Sequence, residues 1–118
     1  MSALEAFWWL LIGHAVMDFW AQSDALAQMK NRNRSNTRIP PGQKPQTMWP
    51  YALTAHALHH GAAVAFILGS PALGVCEAVS HWIIDFGKCE NWYGIHEDQT
   101  MHVLVKVVLL FAWWNAFR

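Results

Sequence analysis

A chain of 118 residues holds one domain, and this one is 54% hydrophobic but only 14% charged, where soluble domains carry about a quarter charged residues. A formal net charge of zero excludes the basic footprint of a nucleic-acid-binding protein. Two cysteines, Cys76 and Cys89, are too few for a disulfide framework and wrongly spaced for a Cys-x-x-Cys metal motif, so they read as packing thiols.

The first apolar stretch, residues 3–22, opens on MSALEAFWWLLIG, with no lysine or arginine before the apolar run. It therefore reads as a retained helix rather than a cleaved signal. A long connection follows, residues 23–48, in which a helical extension through Met29 gives way to a stretch rich in Pro, Gly, Asn and Ser. This connection carries Lys30, Arg32, Arg34, Arg38 and Lys44 against Asp24, which places it on the cytoplasmic side and suits it to lipid headgroups.

Three more apolar stretches cover residues 49–69, 71–88 and 99–117, each near the ~20 residues that span ~30 Å of hydrocarbon. Gly69, Ser70 and Pro71 make a tight outer turn, residues 89–98 return to the cytoplasmic side, and both termini face outward. The expected fold is all-α, a four-helix transmembrane bundle forming a single integral membrane domain. A soluble bundle with apolar helices is the competing reading. Against it stand a fourth stretch that is apolar almost all the way round and eight tryptophans, six of them (Trp8, Trp9, Trp20, Trp49, Trp113, Trp114) toward the ends of the stretches.

The ionisable residues inside these stretches fall at helical spacing. His14 and Asp18 are four apart, as are Glu77, His81 and Asp85, and Asp98, His102 and Lys106; the second stretch has His56, His59 and His60. Residues three or four apart share a helix face, so each stretch presents one polar stripe. At 1.5 Å per residue the four stripes reach a common layer, roughly 5 to 15 Å in from the cytoplasmic boundary. Ionisable groups there cost at least ~2.5–3.5 kcal/mol each at a helix centre, which calls for partners or a ligand.

Imidazoles and carboxylates together suit a divalent metal, zinc first and manganese or iron next, with His14, Asp18, His56, His81, Asp85 and His102 as ligands. The competing reading is a hydrogen-bonded network that fixes helix packing. His60 and His96 read as ordinary hydrogen-bonded histidines. The element His-x-x-x-Asp-Phe recurs at residues 14–19 and 81–86, as a duplicated helical hairpin with two half-sites and two metal ions would show.

The series His14, Asp18, Phe19, Gln22; Ala55, His56, His59; Glu77, His81, Asp85, Phe86, Lys88; and Asp98, Gln99, His102 covers nearly the whole chain. It resembles a family of small bacterial and phage membrane proteins catalogued as a domain of unknown function. More remotely, its His-x-x-x-Asp elements are similar to those of inner-membrane proteins labelled, by analogy, metal-dependent hydrolases. The resemblance implies residence in the bacterial inner membrane.

Two functions are open. One is a metal-dependent hydrolase acting on a lipid or other amphiphile at the inner leaflet, with Glu77, Asp98 or His59 as general base and Lys88 or Lys106 neutralising a phosphate. Glu77 has a second reading, as the group that orients His81. The other function is non-enzymatic: a divalent-ion or proton-handling protein, acting as a homo-oligomer, or a phage-borne factor that modifies the host envelope.

Overall fold

A computed structural model describes residues 1–34, 42 and 45–117, the side chains of 45 and 46 excepted. Arg38 and Lys44 of the basic connection lie outside the described residues. Among those described there are five α-helices and no strand: α1 (Ala3–Ala15), α2 (Asp24–Met29), α3 (Pro45–Leu68), α4 (Pro71–Cys89) and α5 (Ile95–Phe117).

Local sequence explains the boundaries. The Ser2 hydroxyl accepts from the Glu5 amide and the Glu5 carboxylate accepts from the Ser2 amide, so two amides at the helix start are satisfied reciprocally. Beyond Ala15 the helix widens into a π-helical turn, Val16–Trp20, closed by the Ala21 amide donating to the Val16 carbonyl at 2.7 Å. Asp18 sits in this turn. Ser23 then caps the short α2, which is the helical extension expected through Met29.

The α3–α4 hairpin turns at Gly69, whose φ of +61° is a left-handed conformation that glycine adopts without a steric penalty. The Ser70 amide donates back to the Ala65 carbonyl, Ser70 caps α4 through the Leu73 amide, and Pro71 occupies the first turn. Midway along the hairpin the two backbones nearly touch. A Cβ on Gly61 would stand 2.6 Å from the Gly74 carbonyl oxygen, and one on Gly74 2.6 Å from Ala65 Cβ. Small residues at a helix crossing permit this approach, as in packed membrane helices.

Neighbouring helices run antiparallel and close a ring in which α1 packs on α3 and α5, and α4 on α3 and α5. Helices α1 and α4 stand diagonally opposite and point the same way, each carrying its His-x-x-x-Asp-Phe element toward the same end.

The interior is divided by chemistry. At the end holding the α3–α4 turn, Ala6, Leu10, Val64, Leu68 and Leu109 form a dry core, with Ile67, Leu73, Val105, Leu110 and Trp113 packed around it. At the other end the buried polar side chains are His14, Lys30, His56, His60, His81, Asp85, Asp98 and His102, beside the apolar Leu53, Ile84 and Cys89, with Glu77 and Lys106 at the boundary between the two ends. Large apolar side chains face outward instead, among them Trp8, Phe19, Trp20, Leu58, Phe66, Ile83, Val108 and Phe111.

Two helices, Thr47–Leu68 and Ile95–Phe117, are long and apolar enough to cross a membrane. At 1.5 Å per residue α3 and α5 are each about 35 Å long. The other two expected spans fall short for visible reasons. The α-helical part of the first stops at Ala15, where the π-helical turn begins, and α4 carries Glu77, Asp85 and Lys88 within 19 residues.

Candidate metal centre

The polar end is organised around one carboxylate. Asp18 Oδ1 stands 3.2 Å from His56 Nε2, 3.0 Å from His60 Nε2 and 3.9 Å from His81 Nε2. Its other oxygen accepts from Gln99 Nε2 at 2.9 Å and lies 3.4 Å from His14 Nε2. The α3 stripe supplies two of these imidazoles because His56 and His60 are one turn apart on the buried face. The π-helical turn sets Asp18 opposite them.

A second carboxylate, Asp85, lies beside the first group. Its Oδ2 is 3.4 Å from His56 Nε2 and 3.8 Å from His81 Nε2, and its Oδ1 is 3.9 Å from His102 Nε2. Lys30, from the residue after α2, reaches in to pair with Asp85 at 2.6 Å. Asp98, one turn before His102, stands 3.4 Å from the His102 Nε2 and accepts from Gln99 at 3.1 Å.

The imidazole rings are stacked. His60 and His81 are 3.6 Å apart centre to centre, and His81 and His102 4.1 Å, with planes within 24° of parallel. Deeper still, Glu77 pairs with Lys106 and stands 3.4 Å from His81 Nδ1.

Two donor groups could hold a metal ion. Asp18, His56, His60 and His81 form one, and His81, Asp85 and His102 the other, each with ligand atoms within 4.8 Å of one another. Donors held at 2.0–2.1 Å in a tetrahedron lie roughly 3.3 Å apart; the distances from Asp18 Oδ1 to His56 and His60 are close to this, and His81 stands farther off at 3.9 Å. The hydrogen bonding agrees with that fit. Both ring nitrogens of His81 and of His102, and Asp98 Oδ1, are buried without a hydrogen-bond partner among the described residues. Buried polar atoms left so are rare and need a reason.

Charge gives a second reason. Four carboxylates, Asp18, Glu77, Asp85 and Asp98, are matched inside by the ammonium groups of Lys30 and Lys106, while Lys88, 4.0 Å from Asp98, is partly exposed. With neutral imidazoles the interior is left with one negative charge in excess when Lys88 is counted with Asp98, and with two when it is not, an excess that a divalent cation offsets. Protonated neighbours in the stack would instead set like charges about 4 Å apart, a repulsion of about 4 kcal/mol at an effective dielectric constant of 20.

Of the expected ligands, Asp18, His56, His81, Asp85 and His102 enter these groups. His14 does not. Its Nε2 donates to Gln99 Oε1 at 3.0 Å and stands 3.4 Å from Asp18 Oδ2, so it flanks the central carboxylate from outside the two groups. His59 is also displaced from its expected role: it is exposed on the outer side of α3 and cannot serve as a base at this centre. The buried face of α3 runs through Leu53, His56, Ala57, His60, Gly61, Val64 and Leu68, a stripe that includes His60 and leaves His59 out. Reading that register would have exchanged the two histidines. Lys30 and Gln99 also reach the centre; in the sequence the first stands only within the basic connection and the second only within the Asp98, Gln99, His102 element, and neither has a signal that assigns it to the site.

Residues 6–117 match the protein family of unknown function DUF3307. No characterised protein and no solved structure matches significantly. With the match running over nearly its whole length, this chain belongs to the DUF3307 family.

Proposed function

We propose that the protein is a metal-dependent hydrolase embedded in the bacterial cytoplasmic membrane, acting on a lipid or other amphiphile at the inner leaflet. Its four long segments all cross the bilayer, with the basic connection on the cytoplasmic side and the termini outside. The observation that carries this reading is the meeting of Asp18 with three imidazole nitrogens in a bundle whose polar groups are buried and whose apolar groups face out. Lipid tails are a solvent that tolerates such an outer surface, and a bundle core is where facing helices build metal sites.

Asp18, His56, His60 and His81 would hold a divalent ion, zinc best by ligand type, with Asp85 and His102 completing a second position. Such an ion, when bound, lowers the pKa of a coordinated water to about 7 and polarises an ester oxygen. The chain's own residues divide the remaining work. Glu77, tied to Lys106 and facing His81 Nδ1, orients the His81 ring. Asp98 lies in the first turn of α5, at the cytoplasmic end, with Oδ1 free of hydrogen bonds among the described residues. It is the better placed of the two to accept a proton from water. The dry core of Leu10, Val64, Leu68 and Leu109 closes the opposite end, which favours a one-sided reactive site over a path for ions.

The test is product release from a bacterial lipid extract by detergent-purified, metal-loaded protein. The unmodified protein consumes a lipid, and Asp98→Asn retains metal but loses turnover. Failure of the metal-loaded protein to consume any lipid across a broad extract would overturn the hydrolase reading. Full turnover by Asp98→Asn would remove Asp98 as the base.

A further inference from the structure

Where the segment after α2 meets the loop between α4 and α5, at the polar end of the bundle, lies a cleft of about 340 Å³. Its charged side chains are all cationic. Lys30, Arg34 and Lys88 line it, and no carboxylate among the described residues does. Two of these cations link the cleft to the centre: Lys30 pairs with Asp85 of the second donor group, and Lys88 stands 4.0 Å from Asp98, the neighbour of His102. Gln22, Asn31, Asn91 and Tyr93 add neutral hydrogen-bonding groups around them.

We infer that this cleft binds a phosphate ester, whose phosphate sits between Arg34 and Lys88 above the donor cluster. The inference rests on the hydrolase reading for its biological sense but is carried by different residues. Arginine and lysine recognise phosphate through charge-assisted hydrogen bonds, the first as a planar fork and the second as a point charge. A cleft with one sign of charge and partly buried walls concentrates an anion of the opposite sign. The phosphate group has two sources, a lipid headgroup and a soluble ester, and both present the same chemistry to the cleft.

The test uses the full chain in a phosphate-free maltoside detergent. Inorganic phosphate is titrated by calorimetry into the unmodified protein, the double variant Arg34→Ala/Lys88→Ala and the conservative double variant Arg34→Lys/Lys88→Arg, with metal content measured on each. In parallel, native mass spectrometry reads retention of phosphatidic acid against phosphatidylcholine. The alanine pair weakens phosphate about tenfold or more without changing metal content, and the conservative pair keeps most of the affinity. A lipid source shows as retained phosphatidic acid over phosphatidylcholine, lost in the alanine pair. A soluble source shows as phosphate binding with no preference between the lipids. Equal phosphate affinity in the unmodified protein and the alanine pair, or no phosphate binding at all, overturns the inference. Phosphate binding that follows Arg34 and Lys88 in a protein that takes up no metal leaves the cleft standing and overturns the metal reading instead.

Discussion

The two ends of the bundle are built from the same four long segments yet obey different rules. At one end Ala6, Leu10, Val64, Leu68 and Leu109 bury nothing but hydrocarbon, and the helices meet through small residues and good packing. At the other end five histidines, three aspartates and Lys30 are gathered beside the apolar Leu53, Ile84 and Cys89, and ion pairs and hydrogen bonds join the polar groups. Packing energy alone explains the first end. It cannot explain the second, because buried ionic groups stabilise a fold less than apolar groups of similar size. The difference teaches that the dry end holds the bundle together, while the polar end costs stability that packing does not return, and the proposed metal centre is what would account for it.

Substitutions can break that comparison or sharpen it. The largest effect is expected from His81→Ala, since His81 belongs to both donor groups. Loss of an outer partner of a ligand typically costs 10–100-fold in metal affinity, so loss of this ligand should cost more than about a hundredfold. Titration with a competing chelator measures it. Undiminished affinity would dissolve the distinction between the ends.

Next comes Lys106→Met, which leaves Glu77 buried without its ion-pair partner. Removing one partner of a buried pair costs about 3–5 kcal/mol, read as a loss of stability in denaturant titration in detergent. Because Glu77 also faces His81, metal affinity falls with it. Leu10→Ala at the dry end should cost a comparable or smaller amount, about 2–5 kcal/mol, and leave metal affinity where it was. A drop in metal affinity with Leu10→Ala would show that the ends are not separable.

The smallest effect is expected where the segment after α2 is strapped over the polar end. Arg32 pairs with Glu90 at 2.5 Å and lies over the rings of Trp49 and Phe86. Its hydrogen bond holds the Glu90 carboxyl below the usual carboxylate range. A carboxyl so lowered stabilises the docked strap above its ordinary pKa of 4.5, and that contribution is lost as pH falls through the lowered value. The protection factors of the α2 amides, corrected for the intrinsic exchange rate at each pH, should therefore fall at acid pH in the unmodified protein, and lose that dependence in Arg32→Ala.

How much of this was legible in the sequence follows from the helix period. The spacing of four in His14–Asp18, Glu77–His81–Asp85 and Asp98–His102–Lys106 places each set on one face, and the structure buries every one of those residues except Asp18, which is nearly buried. The all-helical class and the α3–α4 turn at Gly69 and Ser70 were legible for the same local reasons. What spacing could not supply was rotation. His59 and His60 are adjacent, both lie within a turn of His56, and only the apolar stripe of α3 decides between them. The Lys30–Asp85 pair spans 55 residues of sequence and depends on how the connection folds back, which no local pattern encodes. The π-helical turn at Val16–Trp20 is also invisible in the sequence, although it sets the position of Asp18.

The central claim is that Asp18 and three imidazoles hold a divalent metal ion. Elemental analysis of the purified, metal-supplemented protein, joined with X-ray absorption at the metal edge, tests it most directly. The account predicts one or two divalent ions per chain, surrounded by nitrogen and oxygen at about 2.0–2.1 Å with imidazole scattering, and loss of most of the metal in Asp18→Ala. Purified protein that takes up no stoichiometric metal, or holds it unchanged in Asp18→Ala, would contradict the account.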